Sequence, residues 1–576
     1  MKKSFDAKPG KSALKRRILI GSLAISLFSI SFVEDLFQVS KNLDIFASVY
    51  KNLSINYVDN VNSSEMMKTG IDAMLQDLDP YTEYIPESDI EDYKLKYVST
   101  QYGGIGATIS NRDGKVVVAQ PYEGFPAQKA DVRAGDEILE INGVSLKGKA
   151  NDQVSSMLKG SKGTPVKLLI LRPGSSKQIE INLQREEIRQ ENVSYFGMLE
   201  GNIGYIKLDK FLENSGQEVK NALIDLKKND LKGIVLDLRY NGGGILQEAV
   251  KIVNLFVDKG VTVVIQKGRN REKSITYNTF NTPEEPNLPL VVLVNNRAAS
   301  ASEIVAGSLQ DLDRAVVIGQ RSFGKGLVQQ TFNLPYNSLV KVTVAKYYTP
   351  SGRCIQALDY THRDSEGSVV KVADSLITEY KTKAGRSVYD GSGIFPDVFV
   401  KPVKYNLITQ TLASKFHIFD YATLYRNERA AIPDAKGFKL TDAEYSKFVA
   451  YLSNRDYNYN TRTEKILNDL RDEAERESKM GDIKAEYDAL KTKVSHSKKN
   501  DLTQFKDEIR KVLEAEIVAR YFFEKGRLEQ GFKYDADIAE SLKIISNRSV
   551  LASILNGEGN YKSIGKPGVN FSANAQ

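Results

Sequence analysis

Two stretches of the chain share one order of parts, in which an apolar strand leads into a loop of small residues and then into a helix. The first is "GIVLDLR" at 233–239, followed by "YNGGG" and the helical pattern "ILQEAVKIVNLF". The second is "LPLVVLV" at 288–294, followed by "NNRAAS" and "ASEIVAGSLQDL". Alternating strands and helices favour an α/β core over 215–350. If the two strands run parallel, both loops lie at the edge of one sheet where α/β proteins usually bind ligands.

The rest of the chain divides by hydrophobic pattern into further domains, as expected for 576 residues. Residues after 402 have strong helical periodicity but no pattern that carries chemistry, and docking to a partner, to a second copy or to the core all stay open. The predicted division is a signal or anchor segment at 1–35, a helical domain at 40–98, a β-rich module at 99–186, a core at 187–402 with a polar insertion at 357–390, a helical domain at 403–555 and a disordered tail at 556–576.

The amino terminus has the pattern of an export signal. Seven Lys and Arg residues precede the 16-residue apolar run from Ile18 to Val33, which predicts that the chain after it is translocated. At ~1.5 Å per residue the run spans roughly 24 Å, somewhat short of a ~30 Å hydrocarbon core, and Ser29 and Ser31 suit a cleavage site. Both an uncleaved anchor and a cleaved signal stay open. We predict a periplasmic or cell-envelope protein, with anchoring to the inner membrane by residues 18–33 favoured.

Composition argues against two classes of ligand. The 80 basic and 73 acidic side chains give a formal charge of +7, without a long basic run interleaved with aromatics, so nucleic acid is not an expected partner. The single cysteine, Cys354, excludes an internal disulfide and a cysteine-based metal cluster, and the three histidines are too scattered for metal-ligand spacing. We predict no metal and no other cofactor.

The small-residue loop of the second stretch suggests a nucleophile, Ser300, at the start of a helix. A serine hydroxyl needs a base to take its proton, and no histidine lies in this core. Lys325, in "FGKG", is the predicted base. A lysine acts as a base only when burial among apolar groups lowers its pKa, and we expect Phe323 and Leu327 to help provide that setting. Gln329, four residues on, is expected to orient the amine.

The glycine run suggests an oxyanion hole, because residues without Cβ let backbone N–H groups approach a reacting carbonyl. Gly243, or else Gly242, is the predicted donor from this loop, and Ala301 the donor from the other. Each part has an ordinary alternative, since glycine runs make turns, serines cap helices and lysines between glycines are often solvated. The joint order and spacing of the three parts are more specific than any one.

These residues resemble the carboxyl-terminal processing peptidases, also called tail-specific proteases, which are S41 serine peptidases with a Ser-Lys dyad. The run "NRAASASE" matches the family's nucleophile motif and selects Ser300 rather than Ser302. The family's lysine and glutamine then fall on Lys325 and Gln329. The resemblance implies a protease core of the crotonase/ClpP-like type.

The resemblance extends over roughly 40–400, with two departures. It includes "LDPYTEY", "DLRYNGGG", "YYTPSGRCIQ" and "GIFPDVFV". The family's Asn-Pro-Gly-Gly is Asn-Gly-Gly-Gly here, which leaves open which glycine serves the oxyanion. A polar stretch from Ala357 to Asp390 interrupts the family's usual path.

The β-rich module resembles a PDZ domain of the bacterial protease type in "YGGIGA" at 102–107 and "FPAQKADVRAGDEILEING" at 125–143. Such a domain binds an extended peptide on a sheet edge and holds its carboxylate with N–H groups of a glycine-containing loop. Gly104, Ile105 and Gly106 are the predicted carboxylate loop, and an ordinary β-turn without a ligand is the alternative. The resemblance implies substrates chosen by their free carboxyl termini, and gating of the active site by this module.

The sequence therefore predicts a multidomain α/β serine endopeptidase that cleaves proteins near their carboxyl termini through an acyl-enzyme. The rival from another class is a catalytically silent PDZ-type binding or adaptor protein of the envelope. The expected partners are proteins or peptides that have free carboxyl termini. The membrane is a further expected partner, through the N-terminal segment. A homo-oligomer or an adaptor is also possible.

Overall fold

The computed structural model describes residues 37–99, 101–269, 274–363, 368–494 and 498–567. The predicted export segment at 18–33 lies outside these residues. Over the described ranges, no helix combines the length and the apolar character that crossing a bilayer requires. The chain forms two compact units. One contains the described residues up to Glu87 together with Thr331–Val342, and the other contains Ser88–Gln330 together with the described residues from Thr343 onward.

The first unit contains the amino-terminal helices that the sequence predicted, together with strand residues. Helix α1 covers residues 37–56, helix α2 covers Ser63–Gln76 and strand β1 covers Glu83–Ile85. Asn62 caps α2 because its side-chain oxygen accepts bonds from the N–H groups of Ser64 and Glu65. Strand β1 pairs antiparallel with residues 339–341.

The second unit begins with a helix and a β-rich module. Five strands of the module form a sheet in the order β3-β4-β5-β7-β8, so β3 is an edge strand, and helix α5 lies beside it. Strands alternate buried and exposed positions, as Val166, Lys167 and Leu168 show. The elements are α3 (Ile90–Tyr97), β2 (Gln101–Gly104), β3 (Ala107–Arg112), β4 (Lys115–Pro121), α4 (Pro126–Lys129), β5 (Glu137–Ile141), β6 (Val144–Ser145), α5 (Asn151–Leu158), β7 (Pro165–Leu171), β8 (Gln178–Gln184) and β9 (Glu186–Arg189).

The predicted α/β core contains a six-stranded sheet in the order β10-β11-β12-β15-β16-β23. All neighbours in it are parallel except β10 and β11. The elements are β10 (Val193–Leu199), β11 (Ile203–Leu208), α6 (Ser215–Leu226), β12 (Gly233–Asp237), α7 (Leu246–Asn254), β13 (Thr262–Gly268), β14 (Ile275–Asn278), β15 (Leu290–Val294), α8 (Ala301–Asp311), β16 (Val316–Gly319), β17 (Leu327–Asn333), β18 (Leu339–Tyr348), β19 (Leu358–Arg363), β20 (Val369–Lys371), β21 (Glu379–Lys381), β22 (Ser387–Tyr389) and β23 (Val398–Phe399).

The predicted polar insertion at 357–390 forms two small hairpins, β19 with β20 and β21 with β22. It is bound to the core at both ends. The N–H of Ala357 donates to the carbonyl of Gly324 at 2.9 Å, and the N–H of Lys383 donates to the carbonyl of Asp311 at 2.8 Å. Arg386 is fully buried and pairs with Asp313 and Asp397, each at 2.6 Å.

The region after 402 is helical, as predicted. Helices α9, α10, α11 and α15 enclose a core of their own that includes Leu412, Phe448 and Ile517. The helices are α9 (Leu407–Ser414), α10 (His417–Glu428), α11 (Asp442–Leu452), α12 (Arg462–Arg476), α13 (Met480–Val494), α14 (Lys498–Gln504), α15 (Lys506–Gly531), α16 (Ala536–Ser546) and α17 (Arg548–Leu555).

The six-stranded sheet is covered on both faces by helices of different origin. On one face, which we call the local face, alternate strand residues such as Leu236 and Val292 pack against α6, α7 and α8. On the other, which we call the C-terminal face, Val235 and Val291 pack against side chains of α16 and α17, among them Ile545. Docking to the core, one of three possibilities left open by the sequence, is therefore what the last helices do.

The stretch after α17 differs from the predicted disordered tail. Residues Gly559–Lys562 form a 3₁₀ helix, and Ile564 is buried. The N–H of Ile564 donates to the carbonyl of Ser387 at 2.9 Å, so apolar burial and a backbone bond hold this stretch on the core. Residues 568–576 lie outside the described residues.

Candidate active site

Three adjacent parallel strands, β12, β15 and β16, end at the same edge of the sheet. They are followed by the glycine loop (residues 240–244), the serine loop (295–300) and the lysine turn (320–326). The expectation that the glycine run and Ser300 meet at one sheet edge is confirmed, because the strands that precede them are parallel neighbours.

Asn241 joins the glycine loop to the serine loop. Its carbonyl accepts bonds from the N–H of Ala299 at 3.0 Å and from the hydroxyl of Ser302 at 2.9 Å, and its amide donates to the carbonyl of Leu208 at 2.8 Å. Ser302 is fully buried and its hydroxyl is used in this bond, whereas Ser300 is partly exposed. Of the two serines, Ser300 is the one placed to reach a substrate.

Ser300 has a strained backbone. Its φ of 56° and ψ of −113° lie outside the regions that side-chain-bearing residues normally adopt. Helix α8 begins at the next residue, Ala301, so the first N–H groups of the helix and the positive end of its dipole lie beside the serine. Such strain is retained only where the surroundings fix the conformation, and it is common at reactive positions.

Glu303 is the residue that fixes it. This fully buried carboxylate accepts the N–H of Ser300 at 2.8 Å and the N–H of Lys325 at 2.9 Å. Its other oxygen accepts the N–H of Gly324 at 2.6 Å and the hydroxyl of Ser322 at 2.5 Å. Burial raises the pKa of Glu303, and these four bonds oppose the increase. One carboxylate therefore holds the backbones of the serine loop and of the lysine turn together.

The lysine turn has further anchors in the segment between β18 and β19. The N–H of Gly326 donates to the side chain of Gln356 at 2.7 Å, and the carbonyl of Gly324 accepts the N–H of Ala357 at 2.9 Å. A Cβ on Gly324, whose φ is 88°, would lie 2.4 Å from the Cβ of Ala357. The glycines on both sides of Lys325 thus allow close contact with a neighbouring segment.

Tyr347 is a second bridge between the two loops. Its backbone N–H donates to the carbonyl of Gly326 at 2.9 Å, and its hydroxyl donates to the carbonyl of Ser300 at 3.1 Å. The side chain is almost fully buried. Tyr347 therefore supports the lysine turn and the serine loop at the same time.

The predicted surroundings of Lys325 are present only in part. Leu327 is buried, but Phe323 is 47% exposed. Lys325 itself is partly buried. Gln329 lies on β17 and donates through Nε2 to the hydroxyl of Thr343 at 3.1 Å, which makes the carbonyl oxygen the part of its amide able to accept a bond from an amine.

Gly243 lies against the serine. A Cβ at this glycine, whose φ is 93°, would be 2.7 Å from the Cβ of Ser300 and 2.8 Å from the nitrogen of Ala301. The Gly243 N–H, however, donates to the side-chain oxygen of Asn241 at 2.9 Å. The position of Gly243 fits an oxyanion hole, whereas its N–H is directed at Asn241 in this structure. Gly242 has open space around it.

The predicted carboxylate loop of the β-rich module leads into the edge strand β3. Gly104 ends β2, Ile105 is buried and Gly106 has a φ of 74°. The carbonyls of Ile105 and Gly106 accept the N–H groups of Ala127 and Tyr122, each at 2.8 Å. These bonds fix the loop in front of the free edge of β3.

Sequence reasoning missed three residues of this site, which are Asn241, Glu303 and Tyr347. Glu303 had a readable signal, because a carboxylate three residues after a helix-starting serine is a capping pattern. The bonds from Glu303 to the lysine turn had no signal in the sequence, since they depend on tertiary structure. Within the described ranges, no group of three or more His, Cys, Asp or Glu side chains is arranged to hold a metal ion.

Comparison with known proteins identifies three regions. Residues 202–366 match peptidase family S41, residues 103–183 match the PDZ domain, and residues 408–545 match the C-terminal helical domain of probable PDZ-proteases. A probable CtpA-like serine protease of Staphylococcus aureus is 39% identical over 316 residues, and its counterpart in Staphylococcus epidermidis is 37% identical over the same length. The alignments cover 54% of this chain and 62% or 63% of those relatives.

Solved structures of the same kind are also similar. The photosystem II D1 C-terminal processing protease is 28% identical, with 62% of this chain and 92% of that chain covered and a TM-score of 0.33. The PDZ domain of a carboxy-terminal protease from Vibrio cholerae, solved with a peptide, is 31% identical, with 16% and 99% covered and a TM-score of 0.15. The matches to peptidase family S41 and the PDZ domain, together with the staphylococcal relatives, confirm the resemblance to the carboxyl-terminal processing peptidases that the sequence motifs predicted.

Proposed function

We propose that this chain is an exported serine endopeptidase that cleaves proteins near their carboxyl termini, with Ser300 as nucleophile, Lys325 as base and Gln329 as the group that orients the lysine. The observation that carries the proposal is the carboxylate of Glu303, which binds the backbone N–H groups of both Ser300 and Lys325. Nucleophile and base are thus held on one buried group, and the nucleophile has the strained backbone common at reactive positions.

In the proposed reaction, uncharged Lys325 takes the proton of the Ser300 hydroxyl as Oγ bonds to the scissile carbonyl carbon. The tetrahedral intermediate then collapses, the lysine gives the proton to the leaving amine, and the carboxyl-terminal fragment departs. An acyl ester on Ser300 remains. Water loses a proton to the lysine as it attacks the ester, and the proton returns to Oγ when the acid product leaves.

The oxyanion is assigned to N–H groups on both sides of Ser300. Ala301 is the first residue of α8, so its N–H is not needed by the helical ladder. Gly243 is the second donor, provided that the oxyanion replaces Asn241 as the acceptor of its N–H. The N–H of Gly242 is the alternative. Removing one donor of this kind typically costs about 10²- to 10³-fold in rate.

Substrate choice is assigned to the PDZ domain. The loop at Gly104, Ile105 and Gly106 would bind the free carboxylate, and the rest of the peptide would pair with the open edge of β3. Export and retention in the envelope are assigned to residues 18–33, either as an uncleaved anchor or as a cleaved signal. The mass of the amino-terminal peptide of the membrane-fraction protein distinguishes these two.

Digestion of an unfolded test protein tests the function. Wild type should produce fragments with time, and Ser300→Ala should produce none. Ser302→Ala should retain measurable turnover, because that hydroxyl only donates to the Asn241 carbonyl. Equal digestion by wild type and Ser300→Ala would exclude this serine, and no digestion by wild type would favour the adaptor protein.

A further inference from the structure

A cluster of charged side chains connects the end of β12 to the start of α16. Arg239 follows β12, and its guanidinium contacts the carboxylates of Asp237 at 2.6 Å, Asp535 at 2.8 Å and Asp537 at 2.7 Å. Its side chain is only 13% exposed. Two of these three carboxylates lie almost 300 residues further along the chain, where Asp535 caps helix α16 of the C-terminal face and Asp537 lies in its first turn.

The cluster leaves the arginine little freedom. Every nitrogen of the guanidinium donates to at least one carboxylate, Nε to Asp237, Nη1 to Asp535 and Asp537, and Nη2 to Asp237. Asp237 is buried and also accepts the hydroxyl of Tyr205 at 2.7 Å. Removing one partner from such a cluster leaves a buried charge without compensation, so the cluster favours one arrangement of Arg239.

The glycine loop begins directly after this arginine. The carbonyl of Arg239 accepts a bond from Lys207 at 2.6 Å, and the N–H of Tyr240 donates to the side chain of Asn295 at 3.0 Å. Two residues on, Asn241 binds Ala299. The backbone from Arg239 to Asn241 is therefore fixed at each residue. The only members of this set that come from the C-terminal region are Asp535 and Asp537.

We propose that Asp535 and Asp537 are positioning residues for catalysis, which act through Arg239 to hold the glycine loop beside Ser300, in the place that oxyanion binding requires. The C-terminal helices are then part of the catalytic core rather than only its cover. The inference rests on the proposed peptidase function. A measurement of hydrogen exchange tests the positioning of the loop without requiring that function.

The test is the double variant Asp535→Asn, Asp537→Asn in the full chain. Asparagine at 535 keeps the helix cap, because its side-chain oxygen accepts the same N–H bonds as aspartate. Glu540→Gln, on the same helix, is the matched control, since Glu540 forms a surface ion pair with exposed Lys543. We expect kcat to fall about ten- to a hundredfold with KM changed less than about twofold, because the lost interaction serves the transition state. The control should match wild type.

Hydrogen exchange of the backbone amides of residues 240–244 gives the second readout. The double variant should exchange these amides faster than wild type, with no such change in the control. If wild type is active, an unchanged kcat per folded molecule would overturn the inference, and the expected fall supports it. If wild type has no peptidase activity, the proposed function fails, and exchange alone decides, with unchanged exchange overturning the positioning role. Should the double variant not fold, Asp535→Asn alone is judged by the same measurements.

Discussion

Both faces of the six-stranded sheet are apolar, but they are covered in different ways. The local face is covered by α6, α7 and α8, each of which follows a strand of the same sheet directly in sequence. The C-terminal face is covered by α16 and α17. These helices begin more than 200 residues after β16, a strand that both of them contact. The difference indicates that the order of the local elements determines where the proposed reactive groups lie, whereas distant elements cover the other face of the sheet.

The reactive groups reflect this division. Ser300 and Lys325 follow strands of the sheet and are held together by Glu303 of α8, on the local face. From the C-terminal face, Asp535 and Asp537 reach the glycine loop through Arg239. Substitutions at Ser300 and Lys325 should therefore abolish turnover, and substitutions of Arg239 or its carboxylate partners should mainly lower stability and slow the reaction.

The largest effect is expected at Lys325. Uncharged lysine is the proposed base, so Lys325→Arg, which stays charged, should be as inactive as Lys325→Ala, with kcat/KM reduced by about 10³-fold or more. Lys259→Arg, at an exposed position, is the control and should match wild type. Turnover of the test protein is the measurement. Appreciable turnover by Lys325→Arg would exclude the lysine as base.

The next largest effect is expected at Glu303. Glutamine has one oxygen where the carboxylate has two, so Glu303→Gln leaves backbone N–H groups of the serine loop or lysine turn without an acceptor. We expect the free energy of unfolding to fall by about 2–4 kcal/mol and kcat/KM to fall by about a hundredfold. Chemical unfolding and peptide turnover measure the two. Exposed Glu200→Gln should change neither, and wild-type kinetics for Glu303→Gln would contradict the bridging role.

The pH dependence of the free energy of unfolding at Asp237 tests the charge cluster that joins β12 to the C-terminal face. Burial alone would raise the pKa of Asp237, but Arg239 and Lys207 hold it well below its usual range. The folded carboxyl therefore binds its proton more weakly than the unfolded one, so its stabilisation is complete above the ordinary Asp pKa and is lost as pH falls towards the depressed value. Asp237→Asn should lower the free energy of unfolding by about 3–5 kcal/mol at neutral pH.

That difference from wild type should begin to shrink as the pH falls through about 3.9, where an unfolded aspartate titrates. Asp225→Asn, at an exposed helix position, should show no such dependence. Unfolding by urea between neutral pH and pH 3 provides the measurement. A difference that stays constant over this range would mean that the Asp237 carboxylate is not stabilised by its cationic partners.

The same comparison of the two faces shows which parts of the fold and of the candidate site the sequence predicts. Strand, loop and helix order correctly predicted that the glycine loop and Ser300 meet, because parallel strands deliver their carboxyl ends to one edge. The apolar strands "GIVLD" and "LVVLV" also indicate a sheet covered on both faces. They do not indicate which helices cover the second face, because burial of Val235 is satisfied by any apolar surface.

The residues missed at the site have a common physical reason. Glu303 and Tyr347 act by accepting or donating bonds between segments that only the tertiary fold brings together. Phe323, which was expected to help make the setting of Lys325 apolar, is 47% exposed, and a local apolar pattern does not show which side of a turn faces solvent. The glycine donor stays a prediction, because the Gly243 N–H is engaged by Asn241.

A smaller effect is expected on peptide binding by the PDZ domain. Neither face of the six-stranded sheet takes part in this binding. Amidation of a peptide's carboxyl terminus removes the charge that the loop at Gly104–Gly106 would bind, and charge-assisted bonds of this kind contribute roughly 1.5–3 kcal/mol. Binding to the full chain carrying Ser300→Ala should weaken about ten- to a hundredfold. Calorimetry with the free-acid and amidated forms of one peptide measures this. Equal affinities would contradict carboxylate recognition.

The smallest effect is expected at Tyr347, which separates support from chemistry on the local face. Its hydroxyl donates to the Ser300 carbonyl at 3.1 Å, and its ring is buried in the same apolar cluster as α8. Tyr347→Phe keeps the ring and removes one neutral hydrogen bond, so the free energy of unfolding should fall by about 0.5–1.5 kcal/mol. Because Glu303 still holds the Ser300 N–H, kcat should fall less than about tenfold with KM unchanged. Steady-state kinetics and thermal unfolding of the same preparation measure the two changes. A much larger fall in kcat without loss of stability would mean that the hydroxyl takes part in the reaction itself rather than only supporting the serine loop.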